Sequence, residues 1–222
     1  MQLSPGLLTL VIAATSTLCS AQAFNIDHAG SPSTLPASDY GAAADQTGFW
    51  NAAGNALTNL VDVHGQPTGV QLASGGGGID LAIDGATEND KLLMDSAMAV
   101  STSSNATTFF NLRPGLYDVY VYCWAGNLLG PKDVTIRAFT GAGQVVGGVK
   151  YDEVWPGGHI RGITYDRLRV EVTPGDNEYL DIFIQAPGDF NVINGIQLVP
   201  VPAPGTVALL PAAPLACRRR RP

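Results

Sequence analysis

The chain has 222 residues, 26 of them glycine, with 14% charged side chains and 19 Asp and Glu against 12 Lys and Arg. Four of the basic residues are the arginines at 218–221, so the rest of the chain holds eight against nineteen, a net charge of −11. So acidic a body repels phosphate backbones, which excludes nucleic acid as a partner, and such sparse charge disfavours long solvated helices.

An apolar run at 7–14 is followed by small and polar residues ending in Ala21-Gln22-Ala23. This is the layout of a secretory signal peptide cut after Ala23, and the run is shorter than the ~20 residues a membrane-spanning helix needs. Residues 24–199 then form one domain, long enough to bury a core. Cys19 falls in the signal and Cys217 in the tail, leaving Cys123 as the only thiol of the body. With no internal disulfide to form, the domain is held by its core. Cys123, in an apolar strand with no neighbouring His, reads as a small buried hydrophobe.

A first strand is predicted at 24–27, after which 30–59 is poor in strand signal and rich in Ala, Gly, Ser and Asp, as in a long loop or loosely helical excursion. Strands at 70–73 and 79–83 flank four glycines at 75–78. Those glycines lead into Ile79-Asp80-Leu81 and not into a helix, so they predict a flexible hairpin loop and no phosphate cradle. One weak helix is expected around 89–98, then strands at 107–112, 117–124, 134–139, 145–150 and 160–165. Alternation is cleanest at 167–172, where Leu168, Val170 and Val172 point one way and Arg167, Arg169 and Glu171 the other. Leu180, Ile182 and Ile184 repeat the pattern. Between them Thr173-Pro174-Gly175-Asp176 has the Pro and Gly of a reversing turn, which predicts a hairpin. A strand at 192–199 closes the body. With a single helix a doubly wound α/β fold would lack its crossovers, so the predicted class is all-β, an antiparallel two-sheet sandwich of jelly-roll type.

If Val119, Val121 and Cys123 face the core, Tyr120, Tyr122 and Trp124 share the opposite face and can form a platform for sugar rings. Trp155, ahead of Pro156-Gly157-Gly158, is the fourth candidate glycan contact. The competing expectation is that a loop covers this face and the aromatics are packing. No catalytic residue is assigned. A glycosidase needs two converging carboxylates, and no spacing brings Asp80, Asp84, Asp118, Asp152 or Glu153 into such a pair. His28, His64 and His159 are scattered, without metal-ligand spacing, and no Gly-x-Ser-x-Gly turn is present. No cofactor is expected beyond a structural calcium, for which Asp176-Asn177-Glu178 and 189–191 offer hard oxygen ligands.

Val201-Pro202-Ala203-Pro204, the apolar stretch at 205–217 and the four arginines together resemble the PEP-CTERM sorting signal of bacterial surface and matrix proteins. Ala203 stands where that family has Glu, and Pro211 and Pro214 interrupt the apolar stretch. The resemblance implies a 200–222 sorting tail in transient contact with the membrane, processed at Pro202, Ala203 and Pro204 by an exosortase-like enzyme. In the body, Phe24-Asn25-Ile26-Asp27, Tyr40 with Gly48-Phe49-Trp50-Asn51, Leu112 with the 114–122 strand, and Asn194-Gly195-Ile196-Gln197-Leu198 resemble domains commonly found ahead of such signals. The 115–122 and 194–198 strands are also similar to strands of galactose-binding-like and malectin-like jelly rolls, many of which bind carbohydrate. The expectation is an exported, non-catalytic protein of the cell surface or extracellular matrix, with extracellular polysaccharide as its partner. A purely structural surface protein and a small glycan-active enzyme are the alternatives.

Overall fold

A computed structural model describes residues 22–28, 34–101, 105–175, 178–188 and 190–202. Most of the predicted signal, and the tail from Ala203 onward, lie outside them. Fourteen strands are named in chain order: β1 (Phe24–His28), β2 (Trp50–Ala53), β3 (Thr58–Val61), β4 (Pro67–Ser74), β5 (Gly77–Asp80), β6 (Ser96–Ser101), β7 (Asn105–Phe110), β8 (Gly115–Tyr122), β9 (Lys132–Thr140), β10 (Gly143–Tyr151), β11 (Tyr165–Val172), β12 (Leu180–Gln185), β13 (Phe190–Ile193) and β14 (Gly195–Val201). Two short helices, α1 (Glu88–Met94) and α2 (Gly126–Leu129), interrupt them. Among the described residues no helix is long and apolar enough to cross a membrane.

The strands form a five-stranded sheet in the order β11-β8-β14-β1-β2, a six-stranded sheet in the order β10-β9-β12-β7-β4-β3, and a small sheet β13-β6-β5. Every pairing between these strands is antiparallel except β1 with β2, which is parallel. The all-β sandwich class read from the sequence is the observed one. Its cause is period-two burial: β9 and β11 each alternate buried and accessible residues along their length. Val119, Val121, Leu168 and Val170 from one sheet and Val134, Ile136, Leu180 and Ile182 from the other share one buried cluster. Burying such a side chain contributes about 1.5–3 kcal/mol.

Several local expectations are corrected. The turn at 173–176 does not close a hairpin, because β11 pairs with β8 whereas β12 pairs with β7 and β9. The Pro-Gly signal encodes a change of direction, with Gly175 at φ 89°. Which sheet receives the next strand is decided by long-range pairing. The glycines at 75–78 likewise carry the chain from the six-stranded to the small sheet, and Gly77 and Gly78 pair with Ala99 and Met98. The helix expected at 89–98 ends at Met94, since Ala97 and Met98 are buried in β6. Thr87 caps its start by accepting from Asp90 N–H. Residues 160–164 form a turn, in which Ile163 and Thr164 N–H donate to Ile160 C=O. The 30–59 segment contains β2 and the start of β3 as well as a 3₁₀ turn at Ala42–Ala44.

The predicted last strand is two strands in two sheets, broken at Asn194. This residue is fully buried. Its Nδ2 donates to Met94 and Ser96 C=O at 2.9 and 3.3 Å, and its Oδ1 accepts from Trp124 N–H at 2.7 Å. The body also runs past 199, since β14 continues to Val201. Pro200, which has no N–H, is tolerated because β14 has already passed Leu198, the partner of the first residue of β1.

Burial pushes the His28 imidazole down from 6.5 to about 3. A lowered folded-state value contributes stability that is present above the unfolded value and lost as pH falls toward the folded one. The urea midpoint is therefore expected to drop between about pH 6.5 and pH 3, and His28→Leu to flatten that part of the profile. Parallel profiles for the two proteins over this window would refute the assignment.

Candidate functional site

The outer face of the five-stranded sheet carries the polar and aromatic side chains that its inner face rejects. Register places them in rows across the strands: Tyr165, Tyr122 and Gly195 in one, and Arg167, Tyr120, Gln197 and Asn25 in the next. In a third row Arg169 faces Asp118 and Val199. Tyr120 and Tyr122 thus share the outer face, while Trp124 lies beyond the end of β8. The face is divided into a covered half and an open half.

Residues 34–49 cover the first half. Tyr122 donates its hydroxyl hydrogen to Gln197 Oε1 and accepts from Ala43 N–H at 2.9 Å. Gln197 Nε2 donates to Asn25 Oδ1 at 2.8 Å and to Gly41 C=O at 3.1 Å. Gln46 Nε2 donates to the same Asn25 oxygen at 2.8 Å and to the carbonyls of Phe24 and Leu198. One amide ladder therefore ties the cover to β1, β8 and β14. At its rim Tyr40 donates to Asp90 Oδ1 at 2.5 Å, and its oxygen accepts from His159 Nε2–H at 2.6 Å. Burial alone would raise the Asp90 carboxyl, but hydrogen bonds from His159, Tyr40 and Thr87 hold it well below the usual carboxylate range. Three distant segments, the 34–49 cover, α1 and the 151–164 loop, meet in this one contact.

The 151–164 loop closes the end of the same half. His159 packs edge-on to Tyr122 and Trp155, and Trp155 edge-on to Trp124, with centroids 5.1, 5.9 and 5.4 Å apart. The loop lies tight on α2: a Cβ on Gly126 would stand 2.0 Å from Asp152 C=O, so only glycine fits there. Tyr122, Trp124 and Trp155 are all buried. The platform expected from them is corrected accordingly. Their rings are packing under a loop, and of the four candidates Tyr120 alone is half-exposed.

Tyr120 belongs to the open half, together with residues that sequence reasoning passed over. Its ring stacks on the half-buried Tyr165 at 5.8 Å with an interplanar angle of 26°. Around the pair stand three arginines. Arg169 binds Asp118 through two parallel bonds of 2.8 Å, and Arg161 Nε donates to Asp166 Oδ1 at 2.8 Å. These guanidinium groups keep 54% and 55% of their side-chain surface exposed, whereas both carboxylates are buried. Hydrogen bonding and charge from Arg169 hold the Asp118 carboxyl below its usual range. Arg167, directly across from Tyr120, is exposed and enters no salt bridge among the described residues. The alternation that marks Arg167 and Arg169 as outward extends back one step to Tyr165, which was the signal available for finding it.

The remaining candidates lie elsewhere. Cys123 is buried and its thiol is pushed up by desolvation, in keeping with a packing role. Ala23 C=O accepts from Val63 N–H, and Pro202 is exposed, while Ala203 and Pro204 fall outside the described residues. Of the calcium candidates, Asp176, Asn177 and Asp189 are also outside them. Glu178 uses its C=O to accept from Leu112 N–H, and Asn191 is buried. Among the described residues no three His, Cys, Asp or Glu side chains gather as metal ligands would.

No family model matches the chain, and no curated protein matches it. Solved structures similar to it include a Bacteroides uniformis beta-glucuronidase 2 covalently bound to cyclophellitol-6-carboxylate aziridine, with 15% identity and a TM-score of 0.40 over 81% of this chain and 18% of that one. The plant receptor-like kinase ANX2 is similar at 13% identity and a TM-score of 0.49, over 81% of this chain and 48% of that one. An exo-beta-1,3-galactanase from Phanerochaete chrysosporium is similar at 16% identity and a TM-score of 0.33, over 58% and 27%. The chain spans less than half the length of each of these three proteins.

Proposed function

We propose that the domain is a non-catalytic module that binds extracellular polysaccharide on the open half of its five-stranded sheet, and that the terminal segments direct it to the cell envelope or matrix. The observation that carries the reading is the half-buried Tyr120–Tyr165 stack, bordered by guanidinium groups already held in place. An aromatic face accepts the C–H face of a sugar ring, and arginine presents a planar fork of donors to hydroxyl oxygens. Because Asp118 and Asp166 fix two of the arginines beforehand, less side-chain freedom is lost on binding.

Absence of catalysis is part of the proposal. Glycoside hydrolysis needs a carboxylic acid able to donate a proton, usually one with a raised pKa. Asp118, beside the tyrosines, is shifted the opposite way and is committed to Arg169. A structural matrix unit is the reading favoured by the other sheet, whose outer face shows Phe139 packed edge-on to Phe183 with exposed Phe110 and Val146.

A polysaccharide pull-down with the full-length chain separates the two. Tyr120→Ala and Tyr165→Ala are each expected to weaken retention at least about tenfold, roughly 1.4 kcal/mol, with an unchanged circular dichroism spectrum. Retention by neither variant nor wild type on any polysaccharide would favour the matrix unit, and undiminished retention by both variants would remove the tyrosine pair from the site.

A further inference from the structure

We infer that the polysaccharide bound at the Tyr120–Tyr165 platform is an acidic one bearing carboxylates, with Arg167 as its counter-charge, an inference that rests on the binding reading above. The body as a whole is strongly acidic, so a polyanion approaching at random meets repulsion. The platform departs from that background. Three of the eight basic residues of the body, Arg161, Arg167 and Arg169, surround one tyrosine pair. Two of them are salt-bridged to buried Asp166 and Asp118, whereas Arg167 enters no salt bridge among the described residues and feels Asp118 only through longer-range attraction.

Arg167 and Arg169 are outward on the same strand two residues apart, so their side chains rise roughly 7 Å from one another. Arg167 stands opposite Tyr120 in the β8–β11 register. A ring lying on the tyrosines therefore places its substituents within reach of a guanidinium that is in no salt bridge among the described residues. A neutral sugar offers that charge only hydroxyl oxygens, which accept single hydrogen bonds and bring no opposite charge. A carboxylate forms a bidentate, charge-assisted pair with it. The same geometry makes binding sensitive to salt, because the guanidinium lies at the surface, where screening acts.

The test uses the full-length chain and four ligands: polygalacturonate, its fully methyl-esterified form, dextran sulfate and unmodified dextran. Polygalacturonate is expected to bind at least tenfold more tightly than its ester, with the preference shrinking between 50 and 500 mM salt, on the order of the change in Debye screening. Arg167→Gln is expected to abolish the preference while Tyr120→Ala weakens all binding, and Arg167→Lys to restore part of it by returning charge without the fork. Equal affinity for the ester and the acid, both dependent on Tyr120, would overturn the acidic assignment and leave polysaccharide binding standing. Binding to dextran sulfate alone would overturn the carboxylate assignment. Binding to none of the four, by a variant or by the wild type, would overturn both.

Discussion

Replacing Gln197 with alanine is expected to destabilise the domain by about 3–5 kcal/mol and to lift the 34–49 cover from the sheet. The Gln197 side chain is fully buried and serves Tyr122, Asn25, Gly41 and Ala44 at once. Truncation leaves several of these groups without a partner in a site closed to water, each at a cost of about 1–3 kcal/mol, and adds a cavity. Domains of this kind have only about 5–15 kcal/mol in hand, so thermal unfolding should shift by many degrees. Limited proteolysis should then cut first between 34 and 49. Gln197→Met separates the two causes: it refills most of the volume without restoring a hydrogen bond, and should recover only the smaller, cavity-related part of the loss. Full recovery by methionine would show that the amide ladder contributes little.

The second large effect is expected at Asn194. Its amide replaces the sheet ladder where β13 ends and β14 begins, joining Trp124 N–H to the carbonyls of Met94 and Ser96. Asn194→Ala strands one donor and two acceptors and is expected to cost about 3–5 kcal/mol. Asn194→Asp is the more telling variant. It keeps an acceptor for Trp124 but turns a carboxylate toward two carbonyl oxygens, so it should be at least as destabilising as alanine at neutral pH and should improve as the carboxyl is protonated in acid. Urea denaturation at pH 7 and pH 4 measures both. An aspartate variant as stable as the wild type would mean that the two carbonyls are satisfied without this side chain.

Both residues explain why the sequence was only partly legible. The strands that bury one face were readable, because alternation such as that of Leu168, Val170 and Val172 has a period of two and needs no knowledge of the partner strand. Sheet membership was not readable from the turns. Pro174-Gly175 looks the same whether the next strand returns to its neighbour or crosses to the other sheet, and the pairing that decides it joins β12 to strands 40 and more residues away. The break at Asn194 was hidden for the same reason, since its partners lie 70 to 100 positions earlier.

The candidate site shows a similar division. Alternation sets Tyr120 and Tyr122 on one face, and the strand ends before Trp124. Which of them water reaches depends on Tyr40, Gln46 and His159, whose segments are remote in sequence and carry no motif for a cover. Because of that cover Trp124 and Trp155 are buried, and the accessible groups are Tyr120, Tyr165 and the three arginines. The covered half gives rigidity to β8 and β14, and the open half inherits a fixed backbone on which Tyr120 and Arg167 stand at adjacent positions.

Hydrogen–deuterium exchange of the full-length chain with and without saturating polygalacturonate locates the binding face. Added protection is expected only in β8, β11 and the 160–164 turn, with Tyr120→Ala erasing it. Protection centred on β9 and β12, over the Phe139–Phe183 face, or no added protection at any ligand concentration, would contradict binding at the Tyr120–Tyr165 platform.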